Sequence, residues 1–235
     1  MWVKVCANTS LEDAQMAVDA GADAVGFVFA ESARRVSVAQ VAGIAPLLPA
    51  SVEKIGVFVE ADFDALAAAI EACGLTGVQL HTASDPAIAA RLRERYAREQ
   101  LRILRVIHFQ QGLEAELREA EADTAIDGVL VDSRTATMLG GTGIQFDWKA
   151  ARVSFAGVRL RLIAAGGLNP ENVAEAISTL QPWGVDVASG VEERPGKKDS
   201  AKVKAFVENA RVADSLSRQS LRVATPAGGG NKVRV

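Results

Sequence analysis

Short apolar runs alternate with longer amphipathic stretches along most of the chain, and the alternation recurs eight times in roughly 210 residues. Trp2 to Cys6 reads as the first strand, being too short for a helix and closed by Ala7-Asn8-Thr9-Ser10. Ser10 caps the helix that follows, with Asp13 at the capping-box position and Gly21 just past its end. Further strands are predicted at Ala24–Phe29, Lys54–Val59, Gly77–His81, Arg102–Ile107, Asp127–Val131, Leu160–Ala165 and Gly184–Val187. Between them fall helices capped by Ser37, at Asp62–Cys73, from Ser84-Asp85-Pro86 to about Tyr96, and more weakly at Gly112–Ala120. A short helix begins at Phe146-Asp147-Trp148, another at Asn169-Pro170-Glu171, and the last spans Lys202–Ala210.

Strand and helix in strict alternation imply a parallel sheet with right-handed crossovers. Eight units favour closure into a single (β/α)₈ barrel of residues 1–210, a TIM barrel, over an open doubly wound sheet. No GxGxxG follows the first strand, which removes the main support for a dinucleotide fold. From Asp214 onward the pattern fades into Ser, Arg, Pro226 and Gly228-Gly229-Gly230, so residues 211–235 read as an appended mobile tail.

Composition narrows the setting. Hydrophobic residues make up 49% of the 235, aromatics only 5%, as suits a buried parallel sheet under alanine-rich helices. A net charge of −3 offers no general attraction for nucleic acid or an anionic membrane, so any bound anion needs a local site. No apolar run approaches the ~20 residues of a membrane span, and no signal-peptide pattern opens the chain. Two cysteines, Cys6 and Cys73, cannot build a disulfide framework and suit a reducing cytoplasm.

The candidate chemistry gathers at strand ends. The seventh and eighth strands both finish in bare backbone, Gly166-Gly167 and Ala188-Ser189-Gly190, each followed by helical sequence. Backbone N–H groups converging from two such turns form a phosphate cradle, commonly placed after strands 7 and 8 of a barrel. The bland alternative is that these glycines only close tight turns. Cys6 and Asp132 each stand at the C-terminal tip of a strand, on the rim where barrel active sites are built. Taken singly, Cys6 could be a small buried hydrophobe and Asp132 a capping residue. Arg34, Arg35, His81 and Arg134 lie just past strand ends, where a solvated arginine or a core histidine is the ordinary alternative. Alternation along strands 1 and 8 points Lys4 and Asp186 inward on neighbouring strands, where they should form a buried ion pair. Cys73, at a helix end, reads as structural, and Lys197 and Lys198 read as solvated loop lysines.

Many of these segments, in one unbroken register from residue 3 to about 210, resemble the phosphoribosylanthranilate isomerase family. The resemblance rests on Val3-Lys4-Val5-Cys6, the run Gly21 to Phe29, Ser32-Ala33-Arg34, Gly56-Val57-Phe58-Val59 and Val78-Gln79-Leu80-His81. It continues through Val131-Asp132, Gly140-Gly141-Thr142-Gly143, Phe146-Asp147-Trp148, Gly166 to Val173, Ser189-Gly190-Val191-Glu192 and Pro195 to Asp199. It implies a (β/α)₈ barrel performing an Amadori rearrangement in tryptophan biosynthesis, with no metal and no organic cofactor. Cys6 then matches the general base, Asp132 the general acid, and Arg34 the group that receives the anthranilate carboxylate. Gly141, Gly143, Gly166, Gly167, Ser189 and Gly190 are expected around the substrate phosphate, and His81 in the substrate site.

The resemblance further implies a small phosphosugar as the partner and a monomer or homodimer; with no indoleglycerol-phosphate synthase sequence before Met1 the enzyme is expected to be monofunctional, and the two cysteines suit a cytoplasmic one. Four positions depart from the family's usual residues. Ala7 and Thr82 stand where Gly is usual, Ala188 where Ser is usual, and Ile144 where a basic residue is common. None of them removes an acid or a base. The related sugar-phosphate isomerase of histidine synthesis, or a bifunctional form, is the alternative enzyme, but it uses Asp where Cys6 stands. A catalytically degenerate phosphate binder is the alternative outside enzymes, and the joint presence of Cys6, Asp132 and Arg34 argues against it.

Overall fold

The computed structural model describes residues 1–59, 62–81, 87–98, 100–109, 112–132, 148–155 and 157–224. Eight parallel strands close into a barrel in sequence order. They are β1 (Trp2–Val5), β2 (Ala24–Val28), β3 (Glu53–Phe58), β4 (Gly77–Leu80), β5 (Arg102–His108), β6 (Gly128–Asp132), β7 (Arg161–Ala165) and β8 (Gly184–Val187). Helices α1 (Leu11–Asp19), α2 (Val38–Ile44), α3 (Phe63–Cys73), α4 (Ala87–Arg95), α5 (Leu113–Ala122), α6 (Trp148–Phe155), α7 (Val173–Leu180) and α8 (Ser200–Ala224) alternate with them. The barrel predicted from the alternation is therefore the fold. β8 pairs with β1 in the register Lys4↔Asp186, which sets the two charged residues side by side at the seam.

Hydrophobic packing forms two shells. Trp2, Ala24, Ile55, Leu104, Val106, Leu130, Ile163 and Ala165 fill the barrel interior. Outside, inward-facing helix residues such as Ala14, Leu66, Leu92, Leu117, Ile177 and Phe206 cover the sheet. Trp2 stacks on Trp183 with ring centroids 5.3 Å apart, closing the end of the barrel at which the strands begin.

Local signals act where the sequence places them. Ser10 accepts the Asp13 N–H, Ser37 and Gln40 form a full capping box, and Asp62 accepts the Ala65 N–H. Two elements differ from expectation. The α-helix proper of the seventh unit begins at Val173, because Pro170 to Asn172 form a turn on which Asn169 acts as cap, accepting N–H bonds from Glu171 and Asn172. The stretch after β8, expected as a plain loop, holds an antiparallel hairpin of β9 (Glu192–Arg194) and β10 (Lys197–Lys198).

The last helix also runs to Ala224 instead of ending at Ala210. Its buried stripe, Val203, Phe206, Val207 and Ala210, continues to Ala213 at helical spacing. Arg211 then donates to the carbonyls of Met1 and Gly21 and to Asp23, whose Oδ2 also accepts the Val3 N–H at 2.7 Å. Polar composition hid a helix held by a few contacts to the bases of β1 and β2. Among the described residues no helix is long and apolar enough to cross a membrane. Arg211→Ala is expected to lower unfolding free energy in urea by about 1 kcal/mol while leaving KM unchanged.

Candidate active site

Alternation along β1 puts Lys4 and Cys6 on one inward face, and the neighbouring strand makes room for both. A Cβ on Gly26 of β2 would sit 2.6 Å from Cys6 Sγ and 2.9 Å from Lys4 Cε, so only glycine lets these side chains stand there. Lys4 is fully buried. Its Nζ donates to Gln79 Oε1 at 2.7 Å and lies 3.1 Å from Asp186 Oδ1. The expected pair is thus present, as an ion-pair contact without the alignment of a hydrogen bond; the aligned bond goes to Gln79. Sequence reasoning missed Gln79, since a neutral amide within an apolar strand carries no chemical signature of its own.

Burial acts against every charge in this group. It pulls the Lys4 ammonium down, but Asp186 and Cys6 outweigh it and the net shift is upward, so Lys4 stays protonated. Asp186 is pushed up by burial, a shift only partly offset by Lys4 and reinforced by Asp132. The Cys6 thiol is likewise raised, chiefly by burial and less by Asp186, against the opposing pull of Lys4 and Lys198.

Asp132 ends β6, in register with His108 on β5 and Ala165 on β7. His81, just past β4, faces His108 with ring centroids 5.8 Å apart. Burial and then the His108 ring lower the His81 pKa, with Asp132 opposing, so His81 is largely neutral at pH 7. His108 was not singled out by the sequence; its Nδ1 is buried with no hydrogen-bond partner among the described residues.

On the far side of the rim the two glycine turns meet. Gly166 and Gly167 both have left-handed backbones, φ 81° and 66°. Ser189 to Val191 form a single 3₁₀ turn whose first N–H groups have no partner inside it. A Cβ on Gly190 would lie 1.9 Å from the Leu168 carbonyl oxygen, so the loop after β8 packs directly on the loop after β7. Gly141, Gly143, Arg134, Thr82 and Ile144 lie outside the described residues. Ala7, where the family resemblance leads one to expect Gly, does adopt a left-handed φ of 63°.

Arg34 is held by Glu192, with Nε 2.8 Å from Oε1 and Nη2 2.7 Å from Oε2. Lys198, expected in solvent, is instead buried, its Nζ 3.1 Å from the Ala188 carbonyl and 3.4 Å from Glu192 Oε1. The hairpin turns it inward while Lys197 reaches Glu12, a distinction that two adjacent lysines in a sequence do not reveal. Cys6, Asp132, His81, Arg34 and the two glycine turns thus occupy one rim of the barrel.

A closed parallel barrel with ionisable side chains and glycine turns at the C-terminal ends of its strands is a (β/α)₈-barrel enzyme. Residues 3–209 match the family described as N-(5'-phosphoribosyl)anthranilate (PRA) isomerase. The chain is 42% identical over 210 residues to the N-(5'-phosphoribosyl)anthranilate isomerase of Geobacter sp. (strain M21), spanning 89% of this chain and 97% of that one. It is 41% identical over 221 residues to that of Pelobacter propionicus, covering 94% and 99%. Among solved structures, the phosphoribosyl anthranilate isomerase of Thermotoga maritima superposes with a TM-score of 0.74 at 35% identity, over 90% of this chain and 99% of that one. A phosphoribosyl anthranilate isomerase in complex with reduced 1-(o-carboxyphenylamino)-1-deoxyribulose 5-phosphate gives 0.74 at 34%, with the same coverage. The chain belongs to the N-(5'-phosphoribosyl)anthranilate isomerase family.

The contact between the two glycine turns yields a paired expectation. Gly190→Ala forces a backbone carbonyl aside and should destabilise by about 3 kcal/mol or more. Gly167→Ala has open space but keeps a left-handed backbone, and should lose only about 1 kcal/mol. Urea titration of both variants checks the difference, and equal small losses would contradict it.

Proposed function

We propose that this chain converts N-(5-phosphoribosyl)anthranilate to 1-(2-carboxyphenylamino)-1-deoxyribulose 5-phosphate, with Cys6 as general base and Asp132 as general acid. Family membership across nearly the whole chain, with both residues on strand tips of one rim, carries this reading. Asp132 gives a proton to the furanose oxygen as the C1–O bond breaks, and the nitrogen lone pair closes a C=N bond. The Cys6 thiolate then takes the proton from C2, and the C–H electrons move into the imine to give an enolamine. Reprotonation at C1 and loss of the C2 hydroxyl proton yield the ketone. The steps balance without a redox partner.

In this reading Arg34 receives the anthranilate carboxylate and His81, largely neutral, lines the substrate site. Gly141, Gly143, Gly166, Gly167, Ser189 and Gly190 hold the phosphate through backbone N–H groups. Binding energy from the phosphate, remote from the reacting carbons, fixes the ribose between acid and base. The small phosphosugar is the only partner proposed, given a net charge of −3 that attracts no polyanion, and the setting proposed is the cytoplasm. A relative from Thermotoga maritima is described as dimeric, and for this chain a monomer or a homodimer is proposed.

Loss of the fluorescence of freshly made phosphoribosylanthranilate on adding the enzyme tests the activity itself. Cys6→Ala and Asp132→Asn should each lower kcat by 10²–10⁴-fold, the usual range for one positioned acid–base group, with KM little changed. A loss below tenfold at either position removes that residue from proton transfer.

The raised Cys6 pKa sets the sign of a pH effect. With the folded thiol above its ordinary value of about 8.5, thiolate is scarce near neutrality. Ultraviolet absorbance of the Cys6 thiolate in the substrate-free enzyme, read as the difference from Cys6→Ala, should therefore grow in only above about pH 8.5, and full thiolate already at pH 7 would contradict the raised value.

A further inference from the structure

Glu192 binds Arg34, Lys198 and the Gly196 N–H at the rim and carries no role in the chemistry proposed above. Its carboxylate is buried, at 4% exposure. Both oxygens are fully engaged: Oε1 by Arg34 Nε, by the Gly196 N–H at 3.3 Å and by Lys198 Nζ, Oε2 by Arg34 Nε at 3.1 Å and Nη2. A carboxylate so saturated has no lone pair left to take a proton from substrate. It can, however, fix the plane of a guanidinium, because two parallel bonds along one edge leave Arg34 a single orientation. Nε and Nη2 are committed to Glu192, and Nη1 is not.

Charge counting adds a second observation. Arg34 and Glu192 alone would cancel, and a neutral pair attracts an anion poorly. The fully buried Lys198 ammonium beside Glu192 restores a net charge of +1 to the three groups. Lys198 is itself anchored by its backbone N–H on Asp13 Oδ1, at 3.1 Å, and by Nζ on the Ala188 carbonyl. Burial lowers the Lys198 pKa with Glu192 the largest opposing influence, and against its own burial Glu192 is held below its ordinary value by Arg34 and Lys198, which ties the charge of each to the presence of the other.

We infer that Glu192 and Lys198 are positioning residues for carboxylate recognition: Glu192 orients Arg34 so that Nη1 faces an aryl carboxylate, and Lys198 keeps the cluster cationic. The inference rests on the reading of Arg34 as the carboxylate receiver.

The test uses two stable ligands, reduced 1-(o-carboxyphenylamino)-1-deoxyribulose 5-phosphate and the same molecule without its carboxyl group. The ratio of their inhibition constants measures carboxylate recognition alone. Glu192→Gln should reduce that ratio at least tenfold, the range for a misaligned charge-assisted contact, and raise KM with a smaller change in kcat. Equal weakening of both ligands, or no change in the ratio, overturns the inference. Should Glu192→Gln not fold, with the buried Lys198 and the half-buried Arg34 left facing each other, Lys198→Met decides. It leaves a neutral Arg34–Glu192 pair, and the ratio must again fall. Arg34→Ala separates the premise from the inference. A ratio that survives Arg34→Ala overturns both, whereas one that collapses there but not in the Glu192 and Lys198 variants overturns only the positioning role.

Discussion

A lysine ammonium inside a barrel is the constraint around which the rest is arranged. Lys4 has no access to water, and an unpaired charge there is prohibitive. It is tolerable because β8 closes against β1 in the register that sets Asp186 beside it, and because Gln79 supplies an aligned acceptor from across the barrel. A slip of one residue at the seam would turn Asp186 out of the interior and strand the ammonium. The ion pair therefore selects the register of closure as much as it stabilises the closed state.

That same closure brings the last unit of the chain over the first. Thr9 Oγ1 donates to the Gly196 carbonyl at 2.6 Å, and Lys197 reaches Glu12 and Asp13 at the start of α1. The hairpin after β8 is thereby latched on to the loop after β1, directly above Cys6. Two lysines from distant parts of the chain, Lys4 below and Lys198 above, act on one thiol. They compete with a burial that favours the neutral thiol, and burial prevails. With its pKa raised by burial, Cys6 is mostly protonated near neutrality in the resting enzyme, and thiolate reactivity is low in that form.

Glycine does two different jobs at the rim. Gly167 is needed for its left-handed backbone, with open space around it, whereas Gly26 and Gly190 have ordinary backbones and are needed because something else occupies the place of a side chain. At Gly26 that something is the Cys6 sulfur and the Lys4 stem; at Gly190 it is the carbonyl of Leu168. Ala7 shows the converse, a side chain accepted at a left-handed position beside Cys6, where its methyl is buried.

The barrel was legible because period-two and period-3.6 patterns, caps and turn residues are local, and eight consistent units leave few ways to close a sheet. Cys6, Asp132 and the glycine turns were legible as strand ends, since chain position alone puts them on one rim. Even the Lys4–Asp186 pair followed from alternation plus closure. Other features were not local. Whether Lys198 is solvated or buried depends on a hairpin tied down by Thr9, Asp13, Arg34 and Lys202, and α8 continues past Ala210 because Asp23 and two carbonyls at the bases of β1 and β2 await Arg211. Gln79, His108 and Glu192 acquire meaning only from neighbours far away in sequence. The sequence by itself determined which elements form and which end of the barrel carries chemistry, because both depend on short-range pattern. Tertiary structure alone decided which charges meet and which are buried, because desolvation and pairing depend on what the rest of the chain places within a few ångströms.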